Sequence, residues 1–375
     1  MMHEMIAAIR AALAKVNDPE LRRPLPDLGM VESVLFADGV ATLGIKLTIS
    51  GCPMRDRLNS DITAAVSAIE GVVDVVINFG VMSDEEREAV KKLLRGGREK
   101  FNPFAQEDSL TRVIAVASGK GGVGKSSVTA NLAVAAAARG LSVGILDADV
   151  YGHSIPRLLG ILDKRPTALD QTFIPVENYG VKVVSMEMFK PHREDPIAYR
   201  GPLLHRVLEQ LMSDAYWGSL DLLLLDLPPG TGDIAISLGQ LIPRSEILVV
   251  TTPQIAAAEV AERAGRIAFQ MKQRIIGVVE NMSASPCPHC GEPIALFGSG
   301  GGAETAKRLS ALVGSEVPLL AELPFDIQLR DGGDAGLPAY LGSGEGVIKK
   351  TFDELLNSLM ATRPSLVGVP LSLHI

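Results

Sequence analysis

The sequence predicts a doubly wound α/β domain on a mostly parallel sheet, preceded by a small α+β domain. Three observations carry this expectation. From Arg112 onward, short β-rich runs alternate with helical patterns, as crossover connections between parallel strands require. Several runs are apolar throughout, as in Asp221–Asp226 (DLLLLD), which marks strands buried on both faces. Before that point, two β-rich segments joined by a tight turn lie among helices.

Composition agrees. Of 375 residues, 47% are hydrophobic and only 4% aromatic, so the core must be built from Ala, Val, Leu and Ile. The length suits two or three domains. A net charge of −8 argues against a chain that coats nucleic acid, which needs clustered Lys and Arg. Met1–Lys15 shows no basic region followed by a long apolar run, so no signal peptide is expected. No stretch reaches the ~18–20 apolar residues of a membrane span. A cytoplasmic location, with neither nucleic acid nor membrane as partner, is the expectation. Three cysteines then read as metal ligands, reactive thiols or core residues rather than a disulfide framework.

In the first domain, 1–95, helical spacing of Ile6, Ile9, Leu13 and Val16 predicts a helix over Met5–Val16. Strands follow at Val31–Phe36 and Val40–Ile49, with Ala37-Asp38-Gly39 as the hairpin turn. A helix over Arg55–Ile69, a strand over Val72–Asn78 and a helix over Asp84–Leu94 complete it. Residues 96–109 are polar, Gly-containing and broken by Pro103, a linker composition. The second domain, 110–363, has expected strands at Val113–Ala117, Ser142–Leu146, Val181–Ser185, Leu222–Leu225, Ile247–Thr251, Ile275–Glu280 and around Val317–Leu320. Helices fall between them, including Ser126–Arg139, Leu203–Met212 and Ala256–Met271, with a last one over Gly346–Thr362. Residues 364–375 carry two prolines and are expected to be irregular.

Gly119-Lys120-Gly121-Gly122-Val123-Gly124-Lys125-Ser126 fits GxxxxGK[ST], between a strand and a helix. Glycines let backbone N–H groups turn toward phosphate, and the helix N-terminus favours an anion. Lys125 is expected at the β/γ-phosphates and the Ser126 hydroxyl at Mg²⁺, with Ser127 among the nucleotide-binding residues. Strand-end acids Asp147, Asp149 and Asp226, with Asp233 further on, lie where ligands sit in open parallel sheets. Asp226 reads as the residue acting on Mg²⁺ through water. Asp147 or Asp149 reads as the group orienting the attacking water, and Asp147 also as a candidate metal residue beside Ser126 and Asp226. No guanine-reading NKxD follows, which favours ATP, and Asn281 at a late strand end is a candidate adenine contact.

Lys120 is the informative deviation. A lysine directly after the first glycine resembles the deviant Walker A P-loop NTPases, related to MinD, ParA and nitrogenase iron protein. The resemblance implies that Lys120 crosses a dimer interface to the partner's phosphates, supplying charge where it develops.

Cys287-Pro288-His289-Cys290 is a CxxC in a Pro/Gly-rich turn, a spacing that lets two thiolates face one metal. A zinc knuckle or a fortuitous pair remains open. No second CxxC exists, and structural zinc or iron–sulfur sites want four ligands. A symmetric homodimer would supply them.

SGKGGVGKSS (118–127), LDADVYGHSIP (146–156), DLPPGTGD (226–233), ENMS (280–283) and CPHCG (287–291) together resemble the Mrp/ApbC iron–sulfur cluster carriers. The resemblance covers about Thr111 to Thr362. It implies an ATPase that forms a homodimer, holds a labile 4Fe-4S cluster between paired Cys287 and Cys290, and passes it from assembly scaffolds to apo iron–sulfur clients. The stretches DLGMV (27–31) and LTISGCP (47–53) resemble the small domain that opens many such carriers, which makes Cys52 a candidate reactive thiol. His153 stands where the family has proline. Three rivals share parts of this pattern. A MinD/ParA-like positioning ATPase leaves CPHCG unexplained, an ATP-dependent reductase needs a stably held cluster, and a zinc-bridged ATPase needs zinc in place of iron.

Overall fold

The computed structural model describes residues 2–361, apart from 20, 22, 49–53, 95–101, 150–151, 153, 170–171, 191–200, 231–232, 288 and 343–345. Cys52, His153 and the 364–375 tail therefore lie outside the described residues. The chain divides into two compact units. One comprises Met1–Phe101 with Thr167–Ile174, the other Asn102–Pro166 with Pro175–Ile375.

The first unit runs α1 (Met2–Leu13), β1 (Val31–Ala37), β2 (Val40–Leu47), α2 (Arg55–Ser67), β3 (Asp74–Val81) and α3 (Asp84–Leu94). Strand β2 is central, antiparallel to β1 and parallel to β3. Asp38 and Gly39 both have positive φ, at 49° and 80°, as a two-residue turn matching the sheet twist requires. Ile9, Leu13, Leu43, Ile45, Leu58 and Ile62 are buried. The unit also includes the hairpin β6 (Thr167–Leu169) and β7 (Thr172–Ile174), an element the sequence pattern did not announce.

The second unit opens with β4 (Arg112–Ser118), α4 (Lys125–Ala138), β5 (Val143–Asp147) and α5 (Ile155–Leu158). It continues with β8 (Val176–Asn178), β9 (Val181–Ser185), α6 (Gly201–Ser213), β10 (Leu222–Asp226), α7 (Asp233–Leu241), β11 (Glu246–Thr251) and α8 (Ile255–Gln270). Then follow β12 (Ile275–Ser283), β13 (Ser285–Pro286), β14 (Pro293–Ile294), α9 (Gly301–Val313), β15 (Leu319–Pro324), α10 (Ile327–Ala335), α11 (Ala339–Gly342) and α12 (Val347–Ala361). The eight-stranded sheet has the order β15-β12-β11-β4-β10-β5-β9-β8. All pairs are parallel except β8 with β9 at the edge.

Alternate residues of the central strands enter opposite layers. Ile114, Val116, Ile145, Leu222 and Leu224 join α4 and α12 in one core. Ala115 and Ala117 face Ala235 and Leu238 of α7 and Ala264, Ile267 and Ala268 of α8 across a small apolar cavity. Helix α4 is buried from Val128 to Ala136, so it is apolar on every side rather than amphipathic. Its one buried amide, Asn131, accepts from Tyr340 N at 2.9 Å and donates to Ser127 O at 2.9 Å. Strand β15 begins two residues later than its sequence pattern suggests and runs to Pro324. The run Val317–Leu323 is apolar at both ends, so hydropathy alone does not locate the strand within it. Among the described residues, no helix is long and apolar enough to cross a membrane.

Arg112 at the start of β4 pairs with Glu246 at the start of β11 at 2.5 Å, both nearly buried. Arg112 also donates to the Leu359 carbonyl of α12, and Glu246 accepts from Arg274 at 3.2 Å. Removing one partner leaves the other charged and dry. Glu246→Ala is expected to lower unfolding free energy by about 3–5 kcal/mol, read by urea denaturation. A loss below about 1 kcal/mol would mean that Arg112 finds water.

Candidate nucleotide and metal site

The phosphate loop starts from β4 and ends at α4, and its path depends on two glycines. Gly124 caps α4 in the left-handed region, φ 78°, which residues with a Cβ adopt at a cost. A Cβ there would also collide with the Asn281 amide. At Gly119 a Cβ would run into the α8 backbone at Val260 and Ala261. The loop is thus pressed between α8 and the end of β12. The Asn281 side chain donates from Nδ2 to the Val123 carbonyl at 2.9 Å, a loop anchor that sequence reading missed. No motif announces it, because the partner is a backbone atom far away in sequence.

Register brings the acids together. Asp226 at the end of β10 sits opposite Asp147 at the end of β5, and both are 0% exposed. Lys125, in the first turn of α4, places Nζ 2.7 Å from Asp226 Oδ2 and 3.9 Å from Asp149 Oδ2. Ser126 Oγ donates to Asp226 Oδ2 at 2.6 Å, and Thr129 Oγ1 lies 2.9 Å from Asp226 Oδ1. Thr129 follows Lys125 by four residues on the same helix face, a spacing that could have exposed it. Asp147 accepts from Ser185 Oγ at 3.0 Å and from Asp149 N at 3.2 Å. Burial first, then the charge of Asp226, pushes the Asp147 carboxyl well above the ordinary carboxylate range, while Lys125 and Ser185 pull it back. Asp149 accepts from Gly152 N at 3.0 Å. The side chain of Asp233, at the start of α7, lies outside the described residues.

Lys120 is directed away from this cluster. Its Nζ donates to Gln254 Oε1, the residue before α8, at 3.0 Å in an exposed position. Gly121 and Gly122 complete the turn, with Gly122 at φ 80°, and the Val123 side chain is buried. Ser127 lies in the first turn of α4. The arrangement offers helix N–H groups, a lysine, and a hydroxyl–carboxylate pair. That set suits a phosphate chain with its divalent cation.

The thiols sit elsewhere. Strands β13 and β14 pair as a short hairpin, Ser285 opposite Ile294 and Pro286 opposite Pro293. Cys287 N donates to Glu292 O at 2.8 Å and Gly291 N to Cys287 O at 2.9 Å. Cys287 is half-buried and Cys290 exposed, and both are free. The backbone N–H groups of Cys290 and His289 hold the Cys287 thiol below its usual value, against a smaller effect of burial. A lowered value favours the thiolate, the form that binds metal. His289 is exposed. Among the described residues, no three His, Cys, Asp or Glu side chains gather as a metal site.

Comparison with known proteins adds the following. Residues 109–360 match the model of the ParA family, described as NUBPL iron-transfer P-loop NTPase. Residues 6–78 match a family described as iron–sulfur cluster assembly protein. An iron–sulfur cluster carrier protein of Mycobacterium tuberculosis H37Rv is 54% identical over 372 residues, covering 99% of this chain and 97% of that protein. One from Deinococcus radiodurans is 39% identical, covering 94% of each. A solved nucleotide-binding protein from Archaeoglobus fulgidus in complex with ADP is 36% identical. It superposes with TM-score 0.54, over 66% of this chain and 97% of that one.

Two predictions follow from the geometry. Gly124→Ala, which adds both left-handed strain and a clash with Asn281, is expected to weaken nucleotide binding about tenfold or more, read by calorimetric titration. The second concerns Asp147. A raised folded pKa means its stabilising contribution is complete below the ordinary carboxylate range and is lost as pH rises through the raised value. Asp147→Asn should therefore make the nucleotide-free protein more stable than wild type at about pH 8, with the gain shrinking toward about pH 4. Denaturant midpoints across pH test this, and parallel pH profiles would refute it.

Proposed function

The chain belongs to the iron-transfer P-loop NTPase family of iron–sulfur cluster carriers, and from that premise we propose that it is an ATP-hydrolysing carrier working as a homodimer. In this reading a labile 4Fe-4S cluster, the cargo, is held between Cys287 and Cys290 of two copies and passed to apo-proteins in the cytoplasm. The observation that carries it is the half-site. Two free thiols, one half-buried and one exposed, lie in one hairpin, and among the described residues no third ligand joins them. A four-thiolate shell then calls for a second copy related by a two-fold axis.

The nucleotide site fits the same reading. Mg²⁺ would be held by Ser126 and Asp226, directly or through water, and would neutralise charge on the β- and γ-phosphate oxygens. Lys125 serves the phosphates, and Asp149, with Asp147 behind it, orients the attacking water. Asn281 anchors the loop through Nδ2 and is proposed to present Oδ1 to the adenine amino group. Lys120 leaves Gln254 to reach the partner's phosphates, drawing the copies together when ATP is bound. Holding the cluster in one state and releasing it in another needs a coupling of about 1–3 kcal/mol, roughly 5–150-fold in affinity.

Anaerobic reconstitution with iron and sulfide tests the proposal. Wild type is expected to take up about two irons per chain as a dimer. Cys287→Ala/Cys290→Ala should take up none while still binding ATP, and Lys125→Ala should lose ATP. Tight zinc without cysteine-dependent iron would instead identify a zinc-bridged ATPase.

A further inference from the structure

The segment that carries the thiols, residues 284–300, leaves the end of β12 and returns at the start of α9. One buried carboxylate holds both of its ends. Glu280, 2% exposed, accepts from Ser283 Oγ at 2.8 Å on the departing side. Its other oxygen accepts from Gly302 N at 2.6 Å on the returning side. The fit is close, since a Cβ on Gly302 would lie 2.7 Å from the Glu280 Cβ. Gly301 N is fixed as well, to Pro253 O at 3.0 Å.

The neighbour of this staple is the phosphate-loop anchor. Asn281 donates to the Val123 carbonyl. Met282 takes a left-handed φ of 63°, uncommon for a residue with a long side chain, and its methyl lies 3.9 Å from where a Gly124 Cβ would be. A shift of the phosphate loop therefore moves the backbone at 281–282. The residues on either side, Glu280 and Ser283, set where the thiol segment starts. Through Gly302 they also set where it ends.

We infer that Glu280 is a positioning residue that ties the nucleotide state of the phosphate loop to the reactivity of the Cys287–Cys290 pair. The inference rests on the carrier reading for its purpose but not for its test. Glu280 acts through the Ser283 hydroxyl and Gly302 N. It makes the thiol segment a closed loop with a rigid base, so displacement at the phosphate loop reaches the thiols rather than dissipating at the strand end. With alanine both accepting oxygens are lost and the base opens, whereas glutamine would keep it closed, its oxygen accepting from Gly302 N and its N–H₂ donating to the Ser283 hydroxyl, which turns to accept.

The test uses the full chain without iron. Iodoacetamide labelling rates of Cys287 and Cys290 are read by peptide mass spectrometry, with and without saturating ADP or a non-hydrolysable ATP analogue. In wild type, nucleotide is expected to change the labelling rate by about fivefold or more. In Glu280→Ala the response should vanish while nucleotide affinity stays within about threefold of wild type. Glu280→Asp, which keeps the charge, should restore part of the response. Ser283→Ala opens the staple on one side only and serves as the milder variant if Glu280→Ala folds poorly; it should give an intermediate response. A full response in Glu280→Ala overturns the inference. So does an unresponsive wild type with nucleotide bound, or a variant that loses nucleotide binding in step with the response. Failure of the carrier reading shows separately, as absence of cysteine-dependent iron in wild type.

Discussion

The second unit is organised around one buried lysine shared among carboxylates. In-register pairing of β5 and β10 sets Asp147 against Asp226, both without solvent exposure. Burial and the charge of Asp226 push the Asp147 carboxyl well above the ordinary carboxylate range, and Lys125 works against that shift. Lys125, with Nζ 2.7 Å from Asp226 Oδ2, arrives from the first turn of α4. This fixes the rest. The loop between β4 and α4 must be short, must start the helix with a left-handed residue at Gly124, and must aim the first turn at the strand ends. Ser126, Thr129 and Ser185 then satisfy the remaining carboxylate lone pairs, without which a buried ion pair is a net cost. Lys125 is also the group that the GxxxxGK[ST] motif assigns to phosphate. With one charge and two claimants, it makes the cluster responsive to what occupies the loop.

The loop is not free to respond alone. Gly119 is pressed on α8, and Val123 is tied to β12 through Asn281. Helix α8 is preceded by Gln254, which holds Lys120. Each grip connects the phosphate loop to a different output. One leads to the lysine proposed to act across the dimer, the other to the strand that runs on into the thiol hairpin. Close packing of this kind transmits displacement rather than absorbing it.

Legibility in the sequence tracks how local each cause is. DLLLLD reads as a strand because burial on both faces demands an unbroken apolar run, and β10 is such a strand. The phosphate loop and the CxxC are legible because their chemistry depends on residues a few positions apart. Asp147 and Asp226 were visible as strand-end acids, but that they oppose each other follows from strand order and register, which no local pattern contains. Asn281 and Glu280 were harder. A polar residue at a strand end reads as a turn or ligand group, and here their side chains act on the backbone at Val123 and Gly302. The antiparallel edge strand β8 and the hairpin at Thr167–Ile174 are three-residue strands, too short for alternation to show.

The thiol hairpin obeys a different logic from the nucleotide site. Asp226 and Lys125 are buried and joined to each other and to Ser126, with Thr129 also on Asp226, so side chains of one chain set the nucleotide site. Cys290 is exposed, and Cys287 is steadied mainly by backbone N–H groups of its own turn. A complete four-ligand site in one chain would bind metal as part of folding and would release it only at the cost of that folding energy. A half-site binds only as strongly as two copies can be kept together in the right geometry. On the proposed reading, the weakness of the half-site is the property that matters. Cargo affinity becomes a function of dimer geometry, dimer geometry a function of the phosphate loop, and the carrier can let go without unfolding.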